Sequence, residues 1–178
     1  MILLSPSDFE TGFFQLAQSI ATNPVIQSYI DRFEAHYIRR ILGVQLGDLF
    51  IAGIAANPVD ARFVKIRDPF TAQDSGSGLC GCGGIMESKG MKDTLKGLIY
   101  YEYVSETQVR HSQGGVIINQ SEVSTNVPAD NTTRFAEQKW NQALISVGAI
   151  QWFVGKHDEV DYPEYNGVCF KFRYAGLL

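Results

Sequence analysis

The residues from about Pro128 to Lys156 carry the strongest folding constraint in the chain. Ala136, Trp140, Ala143, Val147, Ile150 and Val154 recur at three- and four-residue steps, and Leu144 and Trp152 widen the stripe. A helix with so wide an apolar face has to be covered along one side, which places it at the centre of a bundle. Thr125, Asn126 and Pro128 announce its start, with Asp130 in the first turn.

Other segments repeat the pattern. Asn23-Pro24 reads as a cap followed by proline at the first helical position, and the helix it opens stops at Gly43, the expected left-handed C-cap. Ile26, Tyr29, Ile30, Phe33, Tyr37 and Ile41 form its packing face, while Asp31, Arg32, Glu34, Arg39 and Arg40 point elsewhere. A shorter helix through Leu46, Leu49, Phe50 and Ile54 ends at Asn57-Pro58, and another runs from about Lys89 to Arg110 with Leu95, Leu98, Ile99, Tyr101, Tyr103 and Val104. At the start, Ser5 and Ser7-Asp8 followed by Phe9, Phe13, Leu16, Ala17 and Ile20 predict a short amphipathic helix lying as a lid over the core.

Three stretches lack this periodicity. Val59 to Lys89 holds Pro69, Gly76, Gly78, Gly81, Gly83 and Gly84 and reads as a long irregular insertion over 59–88, with a strand expected at Arg62–Ile66. Residues 111–124 place Gly114-Gly115 before Val116, Ile117 and Ile118, the signature of a hairpin or projecting loop. Residues 163–178 form a tail in which Gly167–Tyr174 alternates as a terminal strand. The expected fold is mainly α: one domain over 1–178, with a helical core at about 7–56 and 89–157, carrying the loop insertion, the hairpin and the extended C-terminal strand or tail.

Composition narrows the function. The 178 residues hold 15 Lys+Arg against 19 Asp+Glu, a net charge of -4, and no segment concentrates basic residues without acidic neighbours. A phosphate-gripping nucleic-acid reader is therefore not expected. Only 19% of residues are charged, against about 25% in an ordinary soluble protein, which predicts that part of the surface is covered by something. No apolar run reaches the roughly 18 residues of a membrane span, and the start of the chain has no export signal, so a protein made and kept in the cytoplasm is expected. Cys80, Cys82 and Cys169 are an odd three and no secreted disulfide framework.

Catalytic constellations are sparse. His36, His111 and His157 form no HxxxH or HExxH spacing. Cys80-Gly-Cys82 lacks the second thiol pair of a structural zinc site, leaving a glycine-rich loop with reduced cysteines as the expectation. The glycines from Gly76 to Gly84 do not meet the P-loop pattern, and Ser88-Lys89-Gly90 does not complete it. Asp158, Glu159, Asp161 and Glu164 read as a solvated acidic surface beside Pro163. No catalytic residue, cofactor or metal is expected. The aromatics Tyr101, Tyr103, Trp140 and Trp152 are assigned to core packing ahead of interfaces.

The order of elements resembles a known family. Pro24-Val-Ile-Gln-Ser-Tyr-Ile-Asp-Arg-Phe-Glu-Ala-His-Tyr-Ile-Arg-Arg-Ile-Leu-Gly43 with its continuing short helix, then Leu95-Lys-Gly-Leu-Ile-Tyr-Tyr-Glu-Tyr-Val104, Gly114-Gly-Val-Ile-Ile-Asn119, the helix with Arg134, Trp140 and Asn141, and Tyr162-Pro163-Glu-Tyr165 resemble the head-to-tail adaptor proteins of tailed bacteriophages. The likeness covers most of the chain on short, degenerate motifs; the 59–88 insertion and the C-terminal tail depart from the shorter members. It implies a helical virion subunit, assembled in the host cytoplasm into a homo-oligomeric ring, commonly of twelve, between the portal protein and the tail or further connector proteins. DNA passes through such a ring without sequence-specific binding, which an acidic balance suits.

Two segments are the expected interfaces: Gly114, Gly115, Val116, Ile117, Ile118 and Asn119 in the hairpin, and Val168, Phe170, Phe172 and Tyr174 in the tail, each offering strand edges to a neighbour. Two other classes compete with a non-enzymatic adaptor. One is a small metal- or thiol-dependent enzyme built on Cys80, Cys82 and Cys169 with His111 or His157; the other is a cytoplasmic module presenting an apolar helix face to one partner.

Overall fold

The computed structural model describes residues 2–16, 24–74, 84–112, 115–118 and 129–167. The fold is mainly helical, as the periodicity predicts. Helix α1 (Pro24–Leu42) is followed after one residue by α2 (Val44–Ala55). Gly43 between them has φ 82° and ψ 164°. Positive φ suits glycine, but the extended ψ makes it a joint between two helices instead of the left-handed cap expected.

Helices α4 (Gly90–Gln108) and α5 (Ala129–Lys156) form the principal helix pair. Their backbones approach closely because Gly97 has no side chain: a Cβ there would stand 2.7 Å from Ala143 Cβ and 2.8 Å from Phe14 Cζ. Ala136, Ala143, Val147, Ile150 and Val154 are buried along the predicted stripe, joined by Leu95, Leu98 and Ile99 from α4 and Ile30, Ile38 and Ile41 from α1. The four aromatics assigned to packing sit at the rim. Trp140 and Tyr103 are half-buried against the core, and Tyr101 and Trp152 lie outside the core cluster.

The 59–88 segment is not irregular where it is described, and residues 75–83 lie outside the described residues. It forms α3 (Ala61–Arg67) and an antiparallel pair, β1 (Phe70–Asp74) with β2 (Gly84–Ser88), in the register Phe70↔Ser88 to Asp74↔Gly84. The strand expected at Arg62–Ile66 is helical. Asp60 caps it by accepting the Arg62 amide at 2.9 Å, and Phe63 and Ile66, three residues apart, bury one face. Phe63 packs edge-on against Phe50, and Phe70 tilts against Phe153 at 4.8 Å, tying the segment to α2 and α5.

The predicted N-terminal helix is also replaced. A 3-10 turn, Pro6–Phe9, gives way to an irregular strap through Leu16, while Ala17 and Ile20 lie outside the described residues. Phe9, Phe14 and Leu16 are buried and Phe13 is exposed, a spacing no helix satisfies. The lid role stands, but it is performed by anchored irregular chain.

The hairpin forms from β3 (Val109–Ser112) and β4 (Gly115–Ile118), antiparallel, with Val109↔Ile118 and Ser112↔Gly115 at its ends. It begins two residues ahead of the predicted 111, because α4 stops at Gln108 and not at Arg110. Its expected continuation to 124 lies outside the described residues, as does the tail strand from 168 onward.

Candidate assembly surface

Helix α4 runs directly into β3, so the hairpin projects from the end of one of the two principal helices. Among the described residues its one substantial packing partner is α4 itself. A two-stranded ladder leaves an unpaired backbone edge on each strand, and an isolated hairpin is marginally stable in water. Gly115, Val116, Ile117 and Ile118 of the predicted interface form β4. Gly114, Asn119, Val168, Phe170, Phe172 and Tyr174 lie outside the described residues.

The helix end that carries the hairpin is fastened to α1. The Tyr37 hydroxyl donates to Glu102, and the Tyr29 hydroxyl donates to Glu106 at 2.6 Å. Burial first, then the neighbouring carboxylate, pushes Tyr29 up to about 12 and Tyr37 higher still, so both phenols stay protonated donors. Tyr103 meets Tyr29 edge-on at 5.4 Å, and Trp140 of α5 lies 4.8 Å from Tyr101. The base of the hairpin is therefore a half-buried girdle of aromatic rings and carboxylates.

Two buried charges escaped the sequence reading. Glu34, predicted on the polar face, is 2% exposed and accepts the amides of Ile2, Leu3 and Leu4. Lys139, within the central helix, is 4% exposed. Its ammonium lies 3.9 Å from the centre of the Phe13 ring and within 5.5 Å of those of Phe135, Tyr100 and Phe14. No carboxylate pairs with it among the described residues, and burial holds it below the ordinary lysine range. A sequence signal existed only for the second: aromatic residues at 13, 14, 100 and 135 are cage material, but nothing local says that they converge.

A cleft of about 490 Å³ opens where the end of α3 meets the start of α4. Arg67, Lys89, Lys92 and Lys96 line it with Asp68, Pro69 and Asp93, and its walls are mostly carbon. Arg67 pairs with Asp68, Lys89 with Glu87 and Lys92 with Asp8, each at 2.7 Å, and Lys96 stands 3.8 Å from Asp93. The Lys89–Glu87 pair is half-exposed and contributes little by itself, whereas Asp8 and Lys96 are the more buried members of their pairs.

The described residues hold no group of three or more His, Cys, Asp or Glu side chains able to hold a metal, and no helix among them is long and apolar enough to cross a membrane. His36 is exposed beside Tyr37, and His157 Nδ1 lies 2.8 Å from the Phe153 carbonyl. Cys80, Cys82 and Cys169 lie outside the described residues. The geometry defines a helical bundle with a hairpin extending from its principal helix pair. The chain matches no protein-family model, no curated protein and no solved structure.

Proposed function

We propose that the chain is a structural subunit of an oligomeric ring, acting as a head-to-tail adaptor between the portal and the tail of a tailed bacteriophage and catalysing no reaction. The observation that carries this reading is the β3–β4 hairpin, a ladder of four residue pairs whose outer edges pair with no other strand among the described residues, extending from a helix that is itself firmly fastened into the bundle. Such an element gains stability from a further strand, and its edges are a template that a neighbouring subunit can complete. Two further features support it. Large apolar side chains such as Val44, Ile145 and Val160 are more than half exposed, and the chain carries less charge than a solitary soluble protein. The net charge of -4 suits a channel through which DNA moves without being held.

The test is electron microscopy of the protein in its native particle, with the mass of the isolated connector. A closed ring of many copies at the head-to-tail junction is expected, twelve by the resemblance. A single copy, or a location away from that junction, would overturn the reading.

A further inference from the structure

We infer that the β4 edge of one copy adds to the β1 edge of a second, joining the two strand pairs into one intermolecular sheet in the order β2-β1-β4-β3; this deepens the ring reading and rests on it. Among the described residues β1 pairs only with β2, and β4 only with β3. Each pair therefore ends in a row of backbone groups that a further strand would satisfy.

The strands themselves select which edges meet. β2 packs against α5: Ser88 at its end is buried, and the next amide, Lys89, donates to the Ser146 hydroxyl at 3.2 Å. β1 is the outer strand, with Thr71 and Gln73 exposed. Phe70–Gln73 holds no charge and no proline, and the register from Phe70↔Ser88 to Asp74↔Gly84 runs without a bulge. Charges, prolines and bulges are the devices that protect a sheet edge, and β1 lacks them over those four residues. In the second pair β3 carries Arg110 and His111, whereas β4 is Gly115-Val-Ile-Ile118, uncharged and rich in β-branched residues. The contact also brings no like charges together. β1–β2 holds Asp74 and Glu87 with no Lys or Arg, and Glu87 keeps its own Lys89, while β3–β4 holds no Asp or Glu.

Within one copy the two pairs form separate sheets joined to opposite ends of α4: β2 leads into its start and β3 follows its end. A helix of 19 residues spans about 28 Å. Edge and arm are thus different patches of one subunit, and a contact between them is heterologous, the kind that generates rings when its rotation closes.

The test mixes two variants that each lack one half of the contact, read by analytical ultracentrifugation, with circular dichroism to confirm folding. Thr71→Lys with Gln73→Lys charges the β1 edge and leaves the hairpin; a Gly-Ser linker in place of residues 111–118 removes the hairpin and leaves the β1 edge. Wild-type chain is expected to form a higher-mass species, and each variant alone to sediment as a monomer. Their equimolar mixture is expected to form a species of two copies and none larger, because it holds one intact pair of edges, an outcome that misfolding cannot mimic. Wild-type chain that stays monomeric at every concentration, a lysine variant that assembles as wild type does, or a mixture that stays monomeric overturns the contact. Connector particles separate this from the ring reading: rings still formed by the lysine variant overturn the contact alone, and wild-type particles lacking a ring overturn both.

Discussion

Glu34 Oε1 accepts the Leu4 amide at 2.8 Å across a separation of 30 residues in sequence. The same oxygen takes the Leu3 amide at 2.6 Å, and Oε2 takes Ile2 at 2.9 Å. An irregular strap has no ladder to satisfy its own amides, so one buried carboxylate serves three of them, and those donors offset its desolvation.

Removing that acceptor should release the strap. Glu34→Ala is expected to cost about 2–4 kcal/mol, since it leaves buried amides unpaired. Glu34→Gln should cost less, because its carbonyl oxygen still accepts while its NH2 faces donors. Urea unfolding gives the energies, and hydrogen exchange at Leu3 and Leu4 gives the location. Unchanged protection of those amides in Glu34→Ala would refute the clamp.

Asp8 gives the strap a second hold, and this one depends on pH. Burial pushes its pKa up, but the Lys92 and Ser5 hydrogen bonds outweigh it and bring the net value below the ordinary 3.8. A carboxylate depressed in the folded state stabilises above its unfolded pKa and loses that contribution as pH falls through the folded value. Asp8→Ala is expected to cost about 1 kcal/mol at pH 6. The gap from wild type should close as pH drops below 3.8. Thermal unfolding at a series of pH values checks this; a gap that is constant with pH would contradict it.

The sign reverses at Lys139. Burial lowers its pKa, so the folded state holds this proton more weakly than the unfolded chain does. Stability should therefore rise as pH climbs from the depressed value toward the ordinary 10.5. The surrounding rings recover part of the cost by cation–π attraction. Lys139→Met keeps the volume and removes the charge, and is expected to raise stability at pH 7 by about 1 kcal/mol and to flatten this part of the profile. A variant less stable than wild type would mean that the aromatic cage more than repays the desolvation.

These two buried charges mark where the sequence ceased to be legible. Long-period features are legible: the α5 stripe, the start of α1 at Pro24 and its stop before Gly43 follow from local spacing and from the backbone preferences of proline and glycine. Glu34 and Lys139 occupy positions whose residue type says solvent; amides of the distant strap make burial tolerable for Glu34, and rings from the strap, from α4 and from its own helix do so for Lys139. In the strap, Phe9, Phe13 and Leu16 match helical spacing, whereas tertiary anchoring selects Phe9, Phe14 and Leu16. Phe63 and Ile66 fit a short helix, but seven residues are too few for a period to stand out. Of the candidate site, the glycine pair and β-branched run did predict a ladder, since that signal is local.

The hairpin supplies the most direct test of assembly. Among the described residues it has two strands and little packing beyond α4, so replacing residues 111–118 by a short Gly-Ser linker is expected to remove little that the isolated subunit needs. The helical signal should persist, with Tm within about 4 °C of wild type. Ring formation should be lost, as read by connector mass or microscopy. Ile117→Lys is the milder variant: a lysine on an edge strand discourages strand addition without shortening the chain, so it should weaken assembly while leaving urea unfolding within about 0.5 kcal/mol. Connectors of normal mass from the linker variant would show that the ring closes through other surfaces and that the hairpin is dispensable.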